Sequence, residues 1–482
     1  MNAAKTAGIG RWSLARWVPV VVILYLAGAT TAHGQWEPDV RLTNDTAASW
    51  STWNNAWGLA AAGDTVHVAW ADGRDLGDES LQFYYKRSLD GGATWGADQR
   101  LSSLRGKVHE AVIAASGPSV YVAWAETRSD DEIYFRGSSD GGTTWWPETC
   151  LTSKAWECGN VSMAASESLV HVVWWGHGDG WDACYYRRST DCGGSWGQIR
   201  ILPDAGFTFD PSVAVDRQYV HASWPNVTGA VRGIYYRRSS DRGATWGSTM
   251  YLAGTGQADG GSMAAGDSFV HIVWRDDTPG AGQYFVLYYI RSTDAGADWE
   301  PETILVYDTT HARNPTIARS GPRLHVAWWS DRTGTARLYY KHSEDNGVTW
   351  SRDTCLTDSA GNARLPSIAV AGSSVHVMWY DQRDGNKEIY YKRNPTGNTG
   401  VSEGELPDLI GRPIPAIATV VRAGLYLPEG FASGRAEASL FDVSGRSVAR
   451  LHAGRNDISV LSPGMYFVRR GPATIAKVIV QK

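Results

Sequence analysis

One short pattern, S-x-D-x-G-x-x-W, occurs six times in this chain, and it limits the available folds more than any other feature. The copies begin at Ser88, Ser138, Ser189, Ser239, Ser292 and Ser343 and close on Trp95, Trp145, Trp196, Trp246, Trp299 and Trp350. An Asp carboxylate can accept hydrogen bonds from the backbone N–H groups that follow it, and a Gly supplies positive φ, so the pattern asks for a tight β-turn. The closing Trp offers a large apolar surface with which to plug a seam between neighbouring sheets.

A second alignment, on the tryptophan of V-H-V-x-W, gives seven copies: Trp70, Trp124, Trp174, Trp224, Trp274, Trp328 and Trp379, spaced by 54, 50, 50, 50, 54 and 51 residues. A period of this size announces a propeller. Each unit reads as four strands by its period-2 alternation and Gly-rich turns. The first is small and apolar (Ser367-Ile368-Ala369-Val370), and the second carries the tryptophan. The third holds an aromatic pair such as Tyr134-Phe135 or Tyr390-Tyr391, and the fourth follows the turn. The seventh unit stops after Tyr391-Lys392-Arg393 without a fourth strand, whereas Pro38-Asp39-Val40-Arg41-Leu42-Thr43 looks like a fourth strand with no unit of its own. Pairing the two would close the ring and remove exposed sheet edges. The predicted fold is therefore all-β, a seven-bladed β-propeller whose last blade is completed by the N-terminal strand.

The repeated turn resembles the Asp-box, or bacterial neuraminidase repeat, of the sialidase superfamily, over roughly residues 37–394. The motif is specific for a propeller hairpin and not for an activity: sialidases, some glucanases, sorting receptors and binding propellers carry it.

Lys5, Arg11 and Arg16 flank or precede a short apolar run, Trp17 to Ala27, with Ala32-His33-Gly34 as a small-x-small cleavage site. Residues 1–34 read as a signal peptide, and export is expected. Five cysteines in an exported chain permit disulfides but leave at least one thiol unpaired in a monomer, and no C-x-x-C supports a cysteine-based metal or redox site. A net charge of −5 gives no case for nucleic acid or an anionic membrane as partner. Residues 395–413 read as a Gly/Pro/Ser-rich linker. Residues 414–482 contain F-D-V-S-G-R, P-G-M-Y-F-V and a terminal K-V-I-V-Q-K in order. They resemble the C-terminal sorting domain of type IX (Por) secretion, a small β-sandwich. The resemblance implies the type IX machinery as partner and a secreted or cell-surface location.

In such a blade the repeated turns lie on the face away from the 2–3 and 4–1 connections, so their aspartates are not read as catalytic. Positions that vary between repeats at the top of strand 1 are free for a ligand. Eleven residues before each V-H-V-x-W valine stand Asn55, His109, Gly159, Phe209, Asp259, Arg313 and Arg364, followed by Ala56, Glu110, Asn160, Asp210, Gly260, Asn314 and Leu365. Arg313 and Arg364, on adjacent blades, suit a carboxylate or sulfate. Arg364-Leu365-Pro366 resembles the Arg-Ile-Pro motif that places one arginine of the sialidase carboxylate-binding triad. Arg383, in Asp381-Gln382-Arg383, resembles a further one, with Asp384 or Asp78 as the acid. D-x-R recurs in several blades, however, which is the mark of a charged hairpin loop held by local salt bridges. A tyrosine nucleophile with a glutamate partner is not visible either, since Tyr307 and Tyr380 have none nearby in sequence. The expected function is recognition of a glycan or other anionic ligand by Arg313, Arg364 and Arg383, with hydrogen bonds from Asp259, His109 and Asn55 and stacking on Trp53. An exo-α-sialidase and a structural or protein-binding propeller are the alternatives. No cofactor, no metal set and a monomer are expected.

Overall fold

The computed structural model divides the chain into two units, Met1–Gly400 and Val401–Lys482. It describes residues 36–397 apart from short stretches at 52–57, 78–79, 104–105, 153–156, 179–180, 203–209, 227–231, 255–257, 278–284, 308–309 and 358–360, and beyond them the strands and some turns between 418 and 480. The predicted signal peptide, most of the linker, Trp53, Asn55 and Asp78 lie outside the described residues.

Seven antiparallel sheets make up the first unit. Blade two shows the common plan: Lys107–Ser116, Ser119–Thr127, Asp131–Ser138 and Thr149–Cys150 pair in sequence order. The seven strand-2 tryptophans are all at most 2% exposed, and each lies in an apolar cluster that joins its blade to the preceding one. Blade seven consists of Arg364–Ala371, Ser374–Asp381 and Glu388–Asn394, with Val40–Arg41 as its outer strand. Val40 faces Tyr391 and Arg41 faces Tyr390, the register that Thr149 and Cys150 hold against Phe135 and Tyr134. Thr43 Oγ1 then accepts the Ile389 N–H at 2.8 Å, as Thr152 Oγ1 accepts that of Ile133. The N-terminal segment thus replaces the missing strand residue for residue.

The repeated turns are built alike. In the second, Ser138 Oγ donates to Asp140 Oδ1 and accepts the Gly142 N–H, both at 2.8 Å, while Asp140 also accepts from the backbone and hydroxyl of Thr144. Hydrogen bonds to these carboxylates hold their pKa values low: the Ser195 hydroxyl is the largest cause for Asp191, which sits at about 2. Backbone bonds tie each turn to the 1–2 turn of its own blade, as from Gly141 N to Pro118 O, so the two sets of turns share one face. The turn tryptophan crosses to the preceding blade and meets its second strand-3 aromatic edge-on, Trp145 on Tyr85 at 5.0 Å and Trp95 on Tyr391 at 4.8 Å. Blade seven has no such turn. Trp36, from the N-terminal segment, takes its place against Tyr340 at 5.0 Å.

The strand-2 histidines have a structural duty. In six blades the histidine Nδ1 hydrogen-bonds to the hydroxyl of the second strand-3 tyrosine, from His67 with Tyr85 at 2.8 Å to His376 with Tyr391 at 2.6 Å. Blade two has Tyr121 in place of the histidine and Phe135 in place of the tyrosine, so the one blade without the base also lacks the hydroxyl.

In the second unit a five-stranded sheet runs in the order Ala418–Val421, Ala473–Val480, Gly464–Arg470, Ala438–Asp442, Ser447–Leu451, and Gly424–Leu427 pairs with Gly454–Asp457. All five cysteines, which lie in the first unit, are free thiols.

Candidate functional site at the channel mouth

Opposite the turn face, the inner strands end in bulges. Register breaks fall between Gly159 and Ser162, Asp259 and Ser262, Arg313 and Thr316, and Arg364 and Ser367. The residue after the variable position takes a left-handed φ in five consecutive blades: Asn160 (50°), Asp210 (39°), Gly260 (66°), Asn314 (47°) and Leu365 (50°). Such bulges re-aim the side chain before them. In blades three, five, six and seven register places the variable residue opposite the one that follows the strand-2 tryptophan, which brings Asp259 to Arg275, Arg313 to Trp329 and Arg364 to Tyr380.

On blades five to seven the result is a basic arc with aromatic spacers. The Arg275 guanidinium lies 4.8 Å from the Phe285 ring centre and that of Arg313 5.5 Å from it. Arg313 and Arg364 lie 5.5 and 4.7 Å from the ring centre of Trp329. Arg364 donates through Nε to Asn362 Oδ1 at 3.0 Å and also reaches the Tyr380 hydroxyl. Beyond Tyr380 the Lys387 ammonium sits 2.9 Å from the ring centre of Trp50. Asp259 bonds to Arg275, but among the described residues neither Arg313 nor Arg364 has a carboxylate in salt-bridge contact. Burial first, then the like charge of Arg275, holds the Arg313 pKa below its ordinary value. Asp331 acts on Arg313 only through its field, not through a direct ion pair, and two such partly buried guanidinium groups have the chemistry to hold a carboxylate or sulfate.

Trp329 is only 6% exposed, with Nε1 donating to Asn314 Oδ1 at 2.9 Å. It therefore buttresses two arginines and has no free face on which to stack a sugar.

Blades two to five contribute an acidic arc. Glu110 is 8% exposed and accepts the backbone N–H of Val161 at 3.2 Å. Asn160 Nδ2 donates to Asp210, and the Asp210 carboxyl reaches that of Asp259. Burial pushes Glu110 up to about 7, and burial together with the Asp259 carboxylate raises Asp210 well above the usual carboxylate range. His109 occupies the exposed bulge before Glu110, close to Thr127 Oγ1 and 3.9 Å from Asp131.

The structure thus brings Arg313, Arg364 and Asp259 into one mouth, with His109 on the same ring of inner-strand ends. Arg383 and Asp384 are engaged elsewhere. Arg383 is bound by Asp381 and Asp39, each at 2.6 Å, and stacks 4.4 Å from the Tyr390 ring centre. Asp384 meets Arg41 at 3.0 Å and the Tyr390 hydroxyl. Arg74 with Asp72, Asp45 and Asp98, and Arg128 with Glu126 and Glu148, repeat that arrangement in blades one and two. The D-x-R loops are charged hairpins that lock strands 2, 3 and 4 together, as their repetition suggested. Sequence reasoning passed over Arg275, the contact of Tyr380 with Arg364 and the buttressing role of Trp329. The signal was present in the position after the strand-2 tryptophan, which reads Ala71, Ala125, Trp175, Pro225, Arg275, Trp329 and Tyr380 round the ring.

No protein-family model matches the sequence, and no curated protein matches it either. Solved structures do share its fold. Polysaccharide lyase Uly1 superposes with a TM-score of 0.51 at 8% identity, covering 75% of this chain and 99% of the other. An ulvan lyase from a new polysaccharide lyase family, solved with -[GlcA(1-4)Rha3S]- bound, gives 0.52 at 11% identity, covering 72% and 94%. Trypanosoma rangeli sialidase gives 0.43 at 12% identity, covering 75% of this chain and 59% of its own. The chain is an all-β protein built on a seven-bladed β-propeller, a fold it shares with these polysaccharide lyases.

Proposed function

We propose that this propeller recognises an acidic saccharide at the channel mouth, with a carboxylate or sulfate held by Arg313 and Arg364. One observation carries the reading: two partly buried guanidinium groups on adjacent blades pack on Trp329, and among the described residues neither has a carboxylate in salt-bridge contact. The glycan-directed names of its structural neighbours agree with it, one of them having been solved with a uronate- and sulfate-bearing chain. Charge-assisted bonds of this kind contribute about 1.5–3 kcal/mol each, so Arg313→Ala or Arg364→Ala should weaken binding about tenfold or more. Titration calorimetry with uronic, sialic and sulfated oligosaccharides against neutral ones tests this. Equal affinity for neutral and acidic sugars would rule it out.

A hydrolase reading with Arg383 and Asp384 in the site has less support, because both are engaged in the blade-seven hairpin. The Tyr380 phenol has its pKa raised, chiefly by burial, which is opposite to what an activated nucleophile needs. Turnover of a fluorogenic α-sialoside that vanished in Arg364→Ala would reinstate it. We also propose that residues 1–34 direct export and that residues 414–482 act as an Asp-box propeller's type IX sorting tail. Fractionation of cells carrying chains truncated at either end tests both.

A further inference from the structure

Every anion site must also manage its neighbouring negative charges, and here these form a connected series. Glu110 accepts from the Val161 N–H and also from that of Asn160, and both bonds oppose the rise in its pKa that burial causes. Asn160 donates to Asp210, Asp210 meets Asp259, and Asp259 bonds to Arg275. Arg275 shares the Phe285 ring with Arg313, so the acidic series runs directly into the arginines of the anion site. The charged groups facing Asp210 are Asp259, Glu110 and Arg275; Glu110 faces two backbone N–H groups of blade three and the Asp210 carboxyl, and among the described residues no cation is in salt-bridge contact with it. Cys158, nearby, is a thiol held protonated by burial, and His109 precedes Glu110 in the bulge.

We propose that Glu110 and Asp210 are further residues of this site and carry its proton: an anion bound at Arg313 and Arg364 draws a proton onto this pair, and ionisation of the pair expels the anion. The inference rests on the anion-binding reading given above. Its physical basis is reciprocity, since a bound negative charge that favours the neutral carboxyl must itself be favoured by it. At Asp210, which is only partly buried, the neutral form can also serve the ligand, because a protonated carboxyl can donate to a sugar hydroxyl where a carboxylate can only accept. Burial raises both groups toward that form, Glu110 to about 7, so exchange at Glu110 falls near neutral pH.

The test uses the full chain and one defined probe, a trisaccharide ending in a single hexuronic acid. Calorimetry at pH 7.5 in two buffers of different ionisation enthalpy should show net proton uptake on binding. Between pH 7 and 9 the Kd should weaken by up to about tenfold per pH unit for a one-proton linkage. Glu110→Gln combined with Asp210→Asn should flatten the profile, whereas His109→Gln should leave it in place. No proton uptake, a flat wild-type profile, or a profile abolished by His109→Gln would overturn the proposal while binding and its dependence on Arg313 persist. Absence of any binding would overturn the parent reading as well. Should the double variant fail to fold, the two-buffer measurement on the wild type decides alone.

Discussion

The histidine and tyrosine that pair inside six blades show how a polar residue is kept at 0–3% exposure. Each ring gives the other a partner for one polar atom, and leaving such an atom buried and unsatisfied costs about 1–3 kcal/mol. His221→Tyr and Tyr236→Phe should therefore each destabilise, yet together, copying blade two, they should recover at least about 1 kcal/mol of the summed loss. A denaturant double-mutant cycle measures this, and strict additivity would argue against it. The histidines also fix the acid limit. Burial first, then nearby cations, lowers His171, His221, His271 and His325 to about 3 and His67 and His376 to about 4. Each folded value lies below the unfolded one, so this stability is complete above about pH 6.5 and is lost as the pH falls toward 4. The turn aspartates have depressed values too, but theirs goes only below about pH 4. The Tm should fall steadily between pH 6.5 and 4; a plateau down to pH 4 would contradict the assignment. Glu110 has the opposite sign for an acid: its raised value withdraws stability from about pH 4.5 up to 7. Glu110→Gln should thus raise the Tm more at pH 8 than at pH 5.

Closure of the ring belongs to the N-terminal segment as an element. Val40–Arg41 supplies backbone pairing, Trp36 fills the seam against Tyr340, and Arg41 with Thr43 satisfies Glu388, whose side chain is fully buried. Deleting residues 36–43 would strand that carboxylate, expose a sheet edge and empty the seam at once. The Tm of the truncated chain should drop by more than about 10 °C if it folds cooperatively at all, on the order of several kcal/mol of lost packing and charge pairing. Trp36→Ala alone should cost about 2–4 kcal/mol, since it leaves the backbone pairing intact. An unchanged melting curve for the deletion would show that the ring closes some other way. The orphan strand was legible from sequence because Leu42-Thr43 matches the fourth-strand ending Leu151-Thr152. Trp36 was not, because it reaches the seam from a segment with no turn motif and so breaks the alignment that identified its six counterparts.

For the whole molecule, seven near-copies make scaffold easy to read and site hard to read. Uniform positions announce the blades; the mouth is assembled from positions where the copies disagree, and disagreement alone does not say which side chains meet. Arg313 and Arg364 were found that way and do share Trp329. Arg383 seemed equivalent because D-x-R resembles a catalytic loop, but Asp39, from the far end of the chain, captures it. Long-range pairing of that kind leaves no local trace. The most direct test is calorimetric titration of one acidic oligosaccharide and its neutral counterpart into the wild type, Arg313→Ala, Arg364→Ala and Arg383→Ala. The mouth account predicts preference for the acidic ligand, lost by about tenfold or more in the first two variants and retained in the third, which should only melt earlier. Binding lost in Arg383→Ala and kept in Arg313→Ala and Arg364→Ala would contradict it.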